Sequence, residues 1–160
     1  IQKIKAGESV ALVSDAGTPT ISDPGALLVA RAVKDDINIV PLPGPCAATT
    51  ALSVSGLLTG RFLFWGFLPE KRGKRKKIFE SLLNTEATLI LYLSKWDHKK
   101  QLHDAPEIFG NRKAVLAREM TKLHEEFIRG TIQDLIDWVV DQKEPKGEFV
   151  LLISGQPSDE

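Results

Sequence analysis

The chain has 160 residues, 42% of them hydrophobic, enough for one large core or two small ones. Its 21 Lys and Arg balance its 21 Asp and Glu, so net charge selects no partner and only local patches carry that information. A single cysteine, Cys46, excludes an internal disulfide framework and a cysteine metal cluster, and the lack of a signal-peptide pattern or long apolar span makes a soluble cytoplasmic protein the expectation.

The opening stretch, IQKIKAGESV, places Ile1 and Ile4 on one helix face and Gly7 where a C-terminal cap belongs. It reads as the last turns of a helix that began upstream, so a piece of a longer protein is expected. Val10 to Ser14 reads as a buried strand. Pro24 to Asp36 reads as a helix, with Asp23 as N-cap, Pro24 at the first helical position and Leu27, Leu28 and Ala32 on the apolar side. Ile37 to Leu42 reads as a second strand, and small residues after Pro43-Gly44-Pro45 predict a tightly packed helix from Pro45 to Ser55. Strand, loop, helix, strand, loop, helix is the parallel α/β pattern, in which ligands sit beyond the carboxyl ends of the strands.

Leu57 to Arg61 reads as a linker. Beyond it, Arg61 to Leu68 is an aromatic-rich strand and Lys74 to Asn84 a helix whose apolar face is Ile78, Phe79 and Leu82. Ala87 to Leu93 is a continuous apolar strand, and a helix weakened by Pro106 lies between Asp97 and Phe109. Lys113 to Ala117, Glu125 to Arg129 and Gly147 to Ser154 read as strands. Thr131 to Gln142 is an amphipathic helix capped by Thr131, with Leu135, Trp138 and Val139 inward. The expected organisation is a first α/β domain over 1–58, a second, mixed α/β domain over 59–155 and a tail over 156–160 that frays.

Two loops invite a ligand. In VSDAGTPTISDPG, Gly17 lets the backbone approach a ligand closely, and Pro19 and Pro24 stiffen the loop. Pro43-Gly44-Pro45, followed by Cys46, Ala47 and Ala48, has the same character. Two rigid, small-residue loops at adjacent strand ends suit a flat polar edge such as adenine. Neither is a standard nucleotide motif, since Gly-x-Gly-x-x-Gly and the Walker lysine are both missing, and each alone also fits an ordinary strand-to-helix turn.

The blocks VALVSDAGTPTISDPG, VPLPGPCAATTALSVSGL, RFLFWGFLPEKRGKRK, LAREMTKLHEEFIRGTI and KGEFVLLISG, in that order, resemble the bacterial ribosomal RNA small-subunit methyltransferase I family of the tetrapyrrole (corrin/porphyrin) methylase superfamily. The resemblance runs from about Ile4 to Gly155. It implies two α/β domains, the first incomplete here, with a cofactor cleft between them. It also implies a homodimer and methyl transfer from S-adenosylmethionine to the ribose 2′-hydroxyl of a cytidine in small-subunit ribosomal RNA. Ala16, Gly17, Thr18 and Ile21 would face the cofactor through backbone groups, with Cys46 and Ala47 beside them. Leu93 and Ala117 would be the counterparts in the second domain, where core packing is an equal alternative. The chain departs from the family after Tyr92: it carries LSKWDHKK where the family has a Glu-Ser-Pro loop.

Methyl transfer from a sulfonium is governed by placement, and a base helps to remove the hydroxyl proton. Asp15, Asp23 and Glu119 are the candidates, each with a structural alternative: turn, helix cap, and ion pair with Arg118 or Lys122. His98, His103 and His124 fit no metal-ligand spacing, and no metal is expected. The run KRGKRKK holds six cations in seven residues: Lys71, Arg72, Lys74, Arg75, Lys76 and Lys77. A charge run is usually a solvated helix start, but cations at a helix N-terminus oppose its dipole, so stability does not explain them and a contact with an RNA phosphate backbone is the favoured expectation. The alternatives are a tetrapyrrole methyltransferase, which needs fewer cations, and a non-catalytic dimerisation or binding fragment.

Overall fold

Gly7 closes the first helix, α1 (Gln2–Lys5), with a φ of 94°. The Gly7 N–H donates to the Ile4 carbonyl and the Glu8 N–H reaches back to Lys3, the two bonds of a Schellman turn. In the computed structural model, which describes residues 1–142 and 145–156, the chain divides into two compact units, Ile1–Cys46 and Ala47–Glu160.

In the first unit, α2 (Ala26–Lys34) follows α1. Asp35 ties the two together, accepting from Lys5 and from Arg31, each at 3.0 Å. Two expectations fail here. Gly25, at φ 120°, is the N-cap of α2 and no side chain caps it, so Asp23 does not play that part and Pro24 lies outside the helix. Val10–Ser14 and Ile37–Leu42 form no strands: among the described residues of this unit there are helices and loops alone. Both runs have the composition of a strand inside a parallel sheet, but a strand exists only with a ladder partner, and neither run has one among the described residues. Val13 is 80% exposed and Leu42 81%.

The second unit begins with α3 (Ala47–Ser53), shorter than the expected Pro45–Ser55. It continues with β1 (Phe62–Phe67), α4 (Arg72–Leu82), β2 (Thr88–Leu93), α5 (His98–His103), α6 (Pro106–Phe109), β3 (Lys113–Arg118), β4 (Glu126–Thr131), α7 (Ile132–Asp141) and β5 (Phe149–Ile153). The helix expected over Asp97–Phe109 breaks into α5 and α6 with Pro106 opening α6, because proline fits a first turn and not a helix interior. The Thr131 cap is a full capping box: its side chain accepts from the Asp134 N–H while Asp134 accepts from the Thr131 N–H. Gln156, placed in the tail by its sequence, donates from its N–H to the Thr85 carbonyl at 2.8 Å; the rest of that tail, 157–160, lies outside the described residues.

The five strands form one mixed sheet in the order β1-β2-β5-β3-β4. β1 and β2 are parallel, and β5 is antiparallel to both β2 and β3. β1, β2 and β3 therefore all end at the same edge. The side-chain period of two sorts the sheet into faces. Leu89, Leu91, Leu93, Leu116, Phe149, Leu151 and Ile153 enter the main core with Phe79 and Leu82 of α4, Leu102 of α5, Phe109 of α6 and Leu135 and Val139 of α7. The alternate residues Ile90, Val150 and Leu152 are also buried, and α3 packs against β2 and β5. Burial on both faces explains why ATLILYL and FVLLI read as unbroken apolar runs.

Candidate functional site

In the first unit, the two small-residue loops meet. The Thr18 hydroxyl donates to the Pro45 carbonyl at 3.0 Å. A Cβ on Gly44 would stand 3.2 Å from that hydroxyl, and one on Gly17 would stand 3.6 Å from the Pro45 carbonyl oxygen. Within the first loop the Ser14 hydroxyl donates to the Gly17 carbonyl at 3.1 Å. Gly17 itself has φ 84°, which a side chain disfavours, and Thr20 and Ser22 hold φ of 73° and 58° despite carrying side chains. Such conformations cost about 1–3 kcal/mol each and persist only where surrounding contacts impose them. The result is a fixed, exposed strip of backbone with few side chains in the way. Ala16, Gly17 and Ile21 are exposed, and Thr18 and Cys46 half-buried. Exposed backbone and small side chains here leave room for a ligand to approach the main chain.

In the second unit, the carboxyl edge of the sheet gathers the other candidates. Leu93 at the end of β2 pairs with Phe149 of β5, and Phe149 pairs on its other side with Arg118 at the end of β3. Leu93 and Arg118 thus flank Phe149, and Ala117 pairs one step further along β5, with Val150; the Leu93 and Ala117 side chains are buried, at 3% and 0% exposure. Their side chains pack the interior, so any contact they make with a ligand runs through the backbone. Ala47, exposed, opens α3. The next residue's N–H, that of Ala48, donates to the Tyr92 hydroxyl at 3.2 Å, satisfying one of the helix's orphan donors. Phe64 and Phe67 of β1 meet the Tyr92 ring edge-on at 4.9 and 5.3 Å. Tyr92 escaped the sequence reading, although it is the one tyrosine in the chain and stands in an otherwise aliphatic strand.

Of the candidate bases, Glu119 is held in place. Its Oε1 accepts from the Glu148 N–H at 2.8 Å and from Lys122 at 3.1 Å. The Glu148 N–H first and the Lys122 ammonium second hold its carboxyl below the usual glutamate value. A carboxylate stabilised in its charged form is a poorer base, so the structural alternative describes it better. Asp15 is exposed and Asp23 half-buried.

The basic run is divided in two. Arg75 is buried, its guanidinium donating to Asp104 through Nε at 2.8 Å and through Nη2, and to the Pro69 and Glu70 carbonyls at 2.8 Å each. Arg72 bridges Asp104 and Glu107 at 3.0 Å each, and Lys76 pairs with Glu107. The acidic α5–α6 corner therefore consumes three of the six cations. Lys71, Lys74 and Lys77 are exposed and form no ion pair among the described residues. Also among those residues, no three His, Cys, Asp or Glu side chains group to hold a metal ion, and no helix is long and apolar enough to cross a membrane.

The fold matches that of solved methyltransferase structures. The crystal structure of the methyltransferase CobJ matches with a TM-score of 0.70 at 17% identity, covering 99% of this chain and 70% of that one. Cobalt precorrin-4 methyltransferase, CbiF, matches with a TM-score of 0.61 at 19% identity over 94% of this chain and 66% of the other. Residues 1–136 match the family described as Tetrapyrrole (Corrin/Porphyrin) Methylases, and the chain belongs to that family. Within it, the chain is 47% identical to the Ribosomal RNA small subunit methyltransferase I of Halalkalibacterium halodurans over 93% of its own length and 51% of that protein. It is 45% identical to the protein of the same name from Haemophilus influenzae over 100% of its own length and 57% of the other. The chain spans about half the length of the curated relatives it matches.

Proposed function

We propose that this chain belongs to a methyltransferase that carries a methyl group from S-adenosylmethionine to the ribose 2′-hydroxyl of a cytidine in small-subunit ribosomal RNA. The observation that carries this reading is the whole-chain identity of 43–47% to proteins named for that RNA, against 17–19% to corrin methylases. Two features support it. Thr18 locks the Gly17 and Gly44 loops together into an exposed backbone strip, and three exposed lysines stand at the start of α4.

S-adenosylmethionine supplies an activated methyl group, so the protein's task is to hold the acceptor oxygen in line behind it. Ala16, Gly17, Thr18, Ile21 and Cys46 of the first unit would hold the cofactor, and backbone at Ala47, Leu93 and Ala117 of the second would contribute. Lys71, Lys74 and Lys77 would hold the RNA backbone, with the other members of the run, Arg72, Arg75 and Lys76, setting the position of the helix that bears them. A homodimer acting in the cytoplasm on the assembling small subunit completes the proposal.

The test supplies radiolabelled S-adenosylmethionine and small ribosomal subunits lacking ribose methylation, followed by mass spectrometry of nuclease-digested RNA. A methyl on a cytidine ribose is expected. A methyl on a base, or on a corrin with none on RNA, refutes the proposal.

A further inference from the structure

The loop after β2 presents an aromatic side chain to solvent on a foundation of buried polar contacts. Trp96 is 81% exposed. A lone exposed apolar residue needs no explanation, but this one is held in place. The Trp96 N–H donates to the Ser94 hydroxyl at 3.3 Å and the Asp97 N–H to the Ser94 carbonyl at 3.2 Å, a tight turn with Trp96 at its tip. Ser94 is fixed in turn by Gln101, a fully buried side chain of α5. Its Oε1 accepts from the Ser94 N–H at 2.8 Å, and its Nε2 donates to the Leu68 carbonyl at 3.3 Å. Gln101 therefore staples the exit of β2 to the exit of β1, where the basic α4 begins. His98 stacks on Phe149 at 4.5 Å and anchors the far side of the turn. A buried amide satisfied at both ends fixes geometry.

The surroundings are cationic. Lys95 lies over the Trp96 ring at 5.0 Å, the Asp97 carboxylate is taken up by Lys100 at 3.1 Å, and the exposed Lys71 and Lys74 open the helix that leaves the same sheet edge. An indole with exposed surface, set among cations on a rigid turn, has the composition of a stacking platform for single-stranded nucleic acid: the ring takes any base's π-face while the cations follow the phosphates. A lipid surface would meet the tryptophan on a polar turn, with Ser94, Lys95 and Asp97 beside it, and not on an amphipathic helix.

We infer that Trp96 stacks on an unpaired base of the RNA, with Lys71, Lys74 and Lys95 along its backbone. This rests on the RNA reading above and adds a positioning residue to it. The probe is a fluorescein-labelled oligocytidylate of about ten nucleotides, within the span of a single-strand site, titrated with the protein and followed by anisotropy. Trp96→Leu keeps an apolar side chain and removes the π-face. It should weaken binding about tenfold, whereas Trp96→Phe should stay within about threefold of the parent. Equal binding by Trp96→Leu, or no binding by the parent, overturns the inference. So does binding of the parent, through Trp96, to phosphatidylserine vesicles and not to the oligonucleotide. The ribose-methylation assay separates the two proposals. Trp96-dependent oligonucleotide binding without ribose methylation upholds stacking and removes the 2′-hydroxyl reading. Full methylation by Trp96→Leu removes stacking and leaves that reading in place.

Discussion

Replacing Asp104 with alanine should be among the most damaging single changes in the second unit. The side chains of Arg75 and Asp104 are 3% and 10% exposed. Among the described residues, Asp104 is the one carboxylate that the Arg75 guanidinium meets, its other partners being the Pro69 and Glu70 carbonyls. Breaking a buried pair from one side leaves an uncompensated charge in the interior and costs about 3–5 kcal/mol. With a urea dependence of about 2 kcal/mol per molar for a domain of this size, the unfolding midpoint should fall by about 2 M at unchanged slope. Arg72→Ala is the control. Arg72 touches the same carboxylate, but its side chain is 64% exposed, and its removal should move the midpoint far less, because solvent screens an exposed pair. Removing both buried charges together, as Arg75→Met with Asp104→Leu, should recover most of the stability, because an apolar pair of similar volume carries no desolvation penalty. If Asp104→Ala moves the midpoint no further than Arg72→Ala does, the pair is not what fixes the start of α4.

Gly17→Val places a β-branched residue at φ 84° and should remove most S-adenosylmethionine binding, read by titration calorimetry; unchanged affinity would take this loop out of the cofactor site. Thr131→Ala removes the capping box of α7 and should cost about 1 kcal/mol in urea or thermal unfolding. Asp35, Glu107, Glu119 and Asp134 all have folded-state values held below the ordinary 3.8 for Asp and 4.5 for Glu, so their stabilisation is present above about pH 4.5 and fades as pH falls through the depressed values. Unfolding midpoints should therefore decline with acidification below about pH 4.5, and Glu119→Gln should flatten that decline. Changing Lys71, Lys74 and Lys77 together to Gln should lower the salt slope of RNA binding by about 0.7–0.9 for each phosphate no longer neutralised, while leaving cofactor affinity unchanged; an identical slope would make them a solvated face.

The elements of the second unit were legible because each carries its own signal. Unbroken apolar runs at β2 and β5, the Thr131 cap and the Pro106 break are local facts, and the structure places β1 to β5 within about two residues of where the sequence puts them. The first unit was misread for the opposite reason. Val10–Ser14 and Ile37–Leu42 have strand composition, yet a strand is a property of a pair of segments, and no window of sequence states whether its partner is there. Asp23-Pro24 looked like a helix start on the same local logic, but the chain stays in left-handed turns through Ser22 and Gly25 before α2 begins. The bond between Thr18 and Pro45 could not have been read either: it joins positions 27 residues apart, and the motif on each side fits an ordinary turn by itself.

The basic run shows what a charge count omits. Six cations in seven residues look like one patch, but a helix turns them onto different faces. Arg75 and Phe79, one turn apart, both point inward, and Arg75 is buried for that reason. The acidic residues that meet the run, Asp104 and Glu107, lie about thirty positions later, in a segment whose helical weakness gave no hint of such a role. The division follows from geometry: guanidinium groups, able to form several directed bonds, take the carboxylates and the loop carbonyls, while three of the four ammonium groups stay in solvent. The arginines therefore fix where the helix begins, and Lys71, Lys74 and Lys77 present charge from that fixed point. Two kinds of damage should follow. Removing an exposed lysine should change the salt dependence of binding and leave stability alone. Removing Arg75 should unfold the start of α4 and carry the neighbouring lysines with it, weakening binding at every salt concentration.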